Sequence, residues 1–174
     1  MLRLLLKPKR YAELEYPRFI EKNELIRFLG SFKENEREYK VVFTTLAFLG
    51  LRPNEALNLR IYNFSSDFKA VTIRLSKTHK AITRQVIEEL SDIIKEYVEQ
   101  NISDIIKREG RLFNLKLPSL RWKLLRKRYE LGITDYLNNN GKKHYRFNVY
   151  SLRRFFISEI ANKSKVQYAK DIIG

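Results

Sequence analysis

From Lys22 to about Ser31, the stretch "KNELIRFLGS" sets Leu25, Ile26, Phe28 and Leu29 at helical spacing, and a more apolar run from Glu36 to Leu49 follows. The pattern predicts two adjacent core helices. "GLRPNEALNLR" (50–60) then turns at Gly50, places Pro53 in the first turn of a short helix and ends near Leu59. Between Ile61 and Ile87 the period changes: "AVTIRL" and "AITRQVI" are β-branched stretches separated by the polar "SKTHK", which predicts a β-hairpin with a charged tip. A long amphipathic helix is expected over Ile87–Arg108. Another is expected after Pro118, stopping at Gly132, with Arg121, Lys123, Lys127 and Arg128 on its polar surface. "NNNGKKHYR" (138–146) reads as a basic loop, and two last helices are expected at about Ser151–Asn162 and Lys165–Ile173. The sum is a mainly α fold with a small antiparallel β-sheet, an α+β domain without internal repeats.

Composition narrows the class. A chain of 174 residues with 44% hydrophobic content is long enough for one domain with a real core. The N-terminal apolar run, Leu4 to Leu6, is too short for a secretory or membrane segment, so an intracellular, cytoplasmic protein without membrane partners is expected. With no cysteine and two histidines, no metal and no cofactor is expected. The net charge of +15 is uneven: residues 111–174 carry 15 Lys/Arg against 4 Asp/Glu, and residues 1–110 carry 20 against 16. That excess points to a polyanion-binding face, with nucleic acid as the first partner to test. A basic helical RNA-binding protein is one competing reading, supported by charge alone.

Single residues divide between ordinary and functional roles. Arg52, in a turn between apolar helices, needs an anionic partner to offset its desolvation; an ion pair with Glu55 is the simplest. Lys77, at the hairpin tip, would ordinarily be solvated. "NVYSLRRFFISEI" (148–160) sets Arg153 and Arg154 at the start of an otherwise well-packed helix, with Tyr150 three residues before Arg153.

The ordered set "GLRPNEALNLR", "SKTHK" in a hairpin, "YSLRRFFIS" (150–158) and "DIIG" (171–174) resembles the catalytic domain of the tyrosine recombinase or phage integrase family over about Pro17 to Gly174. The resemblance implies DNA strand cleavage and rejoining in site-specific recombination. A tyrosine phenol attacks a backbone phosphate, giving a 3′-phosphotyrosyl link and a 5′-hydroxyl. It implies that Arg52 and Arg153 hold the non-bridging oxygens, a task suited to a planar fork of donors, and that Lys77 protonates the leaving oxygen. A helix N-terminus under Arg153 would favour the same anion. Tyr150 occupies the family's usual histidine position, and its phenol can still donate a hydrogen bond.

Lys80, Arg84, Arg121, Lys142 and Lys143 are expected at non-scissile phosphates, with Arg154 either a neighbouring backbone contact or a surface charge. His144 reads either as a solvated or phosphate-contacting side chain or as a substitute for the missing histidine. The family's nucleophilic tyrosine follows the turn that "DIIG" matches. Tyr168 precedes that turn and reads as core. The expectation is therefore a linker from a missing N-terminal DNA-clamping domain at 1–18, and a catalytic domain, incomplete at its C-terminus, at 19–174. Its partner would be double-stranded DNA, with self-association on that DNA. The alternative is a non-catalytic DNA-binding relative, or a split-gene fragment that regulates an intact integrase.

Overall fold

The computed structural model describes residues 20–74, 80–133, 136–137, 143–144 and 147–157. Helix α1 (Lys22–Gly30) buries Leu25, Phe28 and Leu29 and leaves Ile26 outward. A single 3₁₀ turn (Glu34–Glu36) leads into α2 (Arg37–Leu49), where nine consecutive side chains from Val41 to Leu49 are buried. A helix apolar on every side belongs at the centre of the molecule. α2 stops at Gly50, whose φ of 59° is left-handed and whose N–H donates to the Leu46 carbonyl at 3.1 Å.

The short α3 (Pro53–Leu57) follows with Pro53 at its start. Strands β1 (Ala70–Arg74) and β2 (Ala81–Gln85) pair antiparallel, Val71 opposite Arg84 and Ile73 opposite Ile82. The predicted hairpin is present, and its tip, including Lys77, lies outside the described residues. Val71 and Ile73 are buried, so this face of the pair looks into the core; Thr72 and Thr83 share a 3.0 Å hydroxyl contact on the other. Helix α4 (Glu88–Lys107) covers another side of α2. α5 (Leu117–Glu130) takes Pro118 within its first turn and starts two residues earlier than the sequence predicts.

Two expectations are corrected here. Lys127 and Arg128 do not lie on a polar surface: they are 4% and 2% exposed. Their partners come from far along the chain. Lys127 reaches Glu36 at 2.8 Å and the Ser31 carbonyl at 2.9 Å, and Arg128 donates to the Phe147 carbonyl at 2.9 Å. Second, the expected loop at 138–146 contains part of a ladder, with β3 (Tyr136–Leu137) antiparallel to β4 (Lys143–His144).

The last described helix is α6 (Val149–Phe155), which starts two residues before the predicted Ser151. Its entry is fixed twice. Phe147 is fully buried edge-on to Phe28, with ring centroids 4.8 Å apart, in a cluster that includes Phe32 and Phe43. Asn148 then caps the helix by accepting the Tyr150 N–H at 2.9 Å, and the Ser151 hydroxyl accepts the Asn148 N–H at 3.0 Å. Arg153 accordingly lies a full turn inside α6 rather than at its N-terminus, so the helix start gives it no direct help with an anion. The predicted final helix, Tyr168 and "DIIG" lie outside the described residues. Among the described residues no helix is long and apolar enough to cross a membrane, and no group of side chains could hold a metal ion.

Candidate functional site

The C-terminal end of α2 is the meeting point of three arginines. A helix end leaves carbonyls without intrahelical partners and carries a partial negative charge, which attracts cations. Arg84 Nη1, from β2, donates to the Leu49 carbonyl, and Arg153 Nη1, from α6, donates to the Gly50 carbonyl. Arg52 leaves the same turn two residues after Gly50. Its expected ion pair is real: Nη1 lies 3.0 Å from Glu55 Oε1, and the Arg52 backbone N–H donates to Glu55 Oε2 at 2.8 Å.

Glu55 therefore caps α3 and holds Arg52 at once. Its side chain is 2% exposed while that of Arg52 is 35% exposed, so the carboxylate is the fixed anchor and the guanidinium keeps an open edge. Arg84 is half-buried. Its pKa is lowered from the ordinary arginine value by burial and then by the charge of Arg153, with Glu55 acting the other way. Glu55 is the carboxylate that pairs with Arg52 and acts on Arg84. The site carries excess positive charge on a preorganised frame.

Phe156 completes the frame. Its ring stacks under the Arg84 guanidinium, 5.4 Å from centroid to carbon, and lies so close to Gly50 that a Cβ there would run into it. Gly50 thus serves twice, through its left-handed φ and through the space it leaves. This contact locks α6 to the end of α2 and sets the position from which Arg153 extends.

The other sequence-predicted residues divide. Tyr150 is 46% exposed and lines an open cleft of about 560 Å³ between α5 and α6, together with Arg121 and Arg154. That cleft is separate from the three-arginine site, so Tyr150 shares it with Arg154 and not with Arg153. Arg154 and Arg121 are exposed, as is Lys80, which enters β2 from the hairpin tip. Lys77 and Lys142 lie outside the described residues, as do the side chains of Lys143 and His144.

Sequence reasoning missed two features. Arg84 belongs with Arg52 and Arg153; the signal was the alternation Ile82, Arg84, Val86, which puts an arginine in phase with core residues. A second cleft of about 500 Å³, which Glu55 also lines, takes in Asn54, Asn58, Arg60, Tyr62 and Arg74. It brings further cations close to the site.

Comparison with known proteins places the chain. The model of the phage integrase family matches residues 18–174. No curated protein sequence matches it. Among solved structures, a crystal structure of XerA recombinase superposes with a TM-score of 0.65 at 19% identity, covering 92% of this chain and 57% of that one. XerH site-specific recombinase bound to its difH substrate before cleavage gives 0.57 at 21% identity, covering 88% and 46%. The same enzyme after cleavage of a palindromic difH substrate gives 0.60 at 17% identity, covering 92% and 50%. The chain thus spans about half the length of these recombinases, and the likeness is one of fold.

Proposed function

Because the chain belongs to the phage integrase family over residues 18–174, we propose that it binds duplex DNA and contributes the phosphate-holding part of a site-specific recombinase. The observation that carries this reading is the convergence of Arg52, Arg84 and Arg153 at the end of α2, with Glu55 anchoring Arg52. Fixed guanidiniums in a partly desolvated corner are suited to a phosphodiester whose charge grows in a pentacoordinate transition state.

In this proposal Arg52 and Arg153 bind the non-bridging oxygens. A tyrosine phenol attacks phosphorus and gives up its proton to solvent, the bond to the 5′-oxygen breaks, and Lys77 from the hairpin tip gives that oxygen its proton. The ester energy stays in the phosphotyrosyl bond, so rejoining needs only the return of a 5′-hydroxyl. Tyr150, at the family's usual histidine position in the sequence, opens with Arg154 on the separate cleft and donates there to a neighbouring phosphate instead of to the one between Arg52 and Arg153. Lys80, Arg121, Arg154, Lys142, Lys143 and His144 serve neighbouring phosphates, and copies of the protein associate on the DNA.

A nicked suicide duplex tests this. The 174-residue chain should bind it without forming a covalent adduct, while a chain continued through a nucleophilic tyrosine should give a protein–DNA band on a denaturing gel. Arg52→Ala or Arg153→Ala in that longer chain should weaken the band by at least ~10²-fold. A band from the 174-residue chain that vanishes in Tyr168→Phe would show that the nucleophile lies within it. DNA binding with no band in either chain would favour the purely DNA-binding relative.

A further inference from the structure

Arg84 stands where a two-stranded sheet packed on a core would normally carry an aliphatic residue. Cross-strand partners share a face, and Arg84 is opposite Val71, which is fully buried, one step along from the Ile73–Ile82 pair. Desolvating a guanidinium at such a position is costly unless an anion meets it. What meets it here is the Leu49 carbonyl and the face of Phe156, while the nearest strong charge beside Glu55 is a second arginine, Arg153. Glu55 is already committed to Arg52 through both of its oxygens. Two like charges are thus drawn to adjacent carbonyls at one helix end, and a phosphate would supply far more compensation than either carbonyl.

We propose that Arg84 is a third arm of the phosphate cradle, a residue that holds a backbone phosphate together with Arg52 and Arg153, beyond its contacts with the Leu49 carbonyl and the Phe156 ring. The inference rests on the phosphate-binding reading above and adds a residue to it. Before DNA arrives, the carbonyls of Leu49 and Gly50 park the two guanidiniums about one site. An incoming phosphodiester takes over their outward-facing N–H groups, and the repulsion between Arg84 and Arg153 turns into joint attraction to the ligand. The same charge arrangement that costs stability in the free protein is what gives affinity in the complex.

The test uses the 174-residue chain with inorganic phosphate as probe, titrated against chloride at constant ionic strength, with thermal unfolding as readout. Wild type should be stabilised by phosphate in a saturable way. Arg84→Leu, which restores an aliphatic partner for Val71, should be at least as stable as wild type without phosphate. It should nevertheless bind phosphate roughly 10- to 100-fold more weakly, the loss of one charge-assisted hydrogen bond. Arg84→Lys, which keeps the charge but not the fork, should fall between the two.

If Arg84→Leu binds phosphate as wild type does while Arg52→Leu and Arg153→Leu do not, the cradle has two arms and the inference fails with the site intact. If Arg84→Leu is destabilised equally with and without phosphate, Arg84 is a structural residue and the inference fails likewise. No saturable stabilisation of wild type would sink the phosphate site and the role of Arg84 together.

Discussion

Arg52 has a structural partner in Glu55 and, in the proposed function, a phosphate to hold as well. Its ion pair with Glu55 does not use up the guanidinium: the carboxylate is buried, the arginine is not, and the pair fixes where the open N–H groups point. Glu55→Gln should leave Arg52 aimed less firmly and remove charge that balances Arg84, so phosphate-dependent cleavage in a tyrosine-bearing chain should fall by roughly tenfold or more, in keeping with lost orientation. Full activity in that variant would detach Glu55 from the site. Lys77→Ala should slow cleavage as well, and a substrate with a 5′-sulfur leaving group should recover much of the loss, because a thiolate departs without protonation. A sulfur substrate that brings no recovery means Lys77 is not the acid. The motif residues Arg52 and Arg153 were legible in the sequence because their spacing and neighbours are local. Arg84 was legible as a basic residue expected at a non-scissile phosphate, not as a neighbour of Arg52 and Arg153. That it sits on the inward face beside Arg153 depends on how β2 packs against the end of α2, which no local pattern states.

At the level of elements, two joints hold the site in shape. One is the Gly50–Phe156 contact between α2 and α6. Gly50→Ala combines a strained left-handed φ with a Cβ driven into the Phe156 ring, and should cost about 2–4 kcal/mol of stability, measured by urea unfolding. A loss within a few tenths of a kcal/mol would show that the two helices are free to part there. The other joint is the buried cluster where Lys123 and Lys127 of α5 grip Glu36, at 2.9 and 2.8 Å. The hydrogen bond from Lys127, helped by Lys123 and the Lys33 amide and opposed by burial, holds the Glu36 carboxyl down at about 2, against an ordinary 4.5. A depressed carboxyl stabilises the fold fully above the ordinary value and loses that contribution as pH falls through the depressed one. Stability should therefore decline between about pH 4.5 and 2 through this residue, by an amount on the order of 1–3 kcal/mol. Glu36→Gln should flatten the decline over that window, and an unchanged pH profile would show that the cluster does not titrate as a unit. The sequence placed Lys127 and Arg128 on the polar face of α5 because helical periodicity ranks residues by type. Their burial follows from Glu36, the Ser31 carbonyl and the Phe147 carbonyl, which lie 19 to 96 residues away along the chain. The helices and the hairpin themselves were legible, because each has its own period and its own stop signals.

At the scale of the whole molecule, the proposed function sets one built phosphate site of a basic domain amid a broader field of positive charge. Duplex binding driven by that field must weaken as salt rises, since each phosphate neutralised releases condensed counterions. The built site adds something the field does not, a contact tied to Arg52 and Arg153. The most direct measurement is the dissociation constant for a short duplex as a function of salt, for wild type and for the Arg52→Ala, Arg153→Ala double variant. Wild type should show a steep linear fall of log affinity with log salt, and the variant should bind more weakly with a slope shallower by about one phosphate contact. A flat dependence in wild type, or a variant whose affinity and slope both match it, would contradict the account.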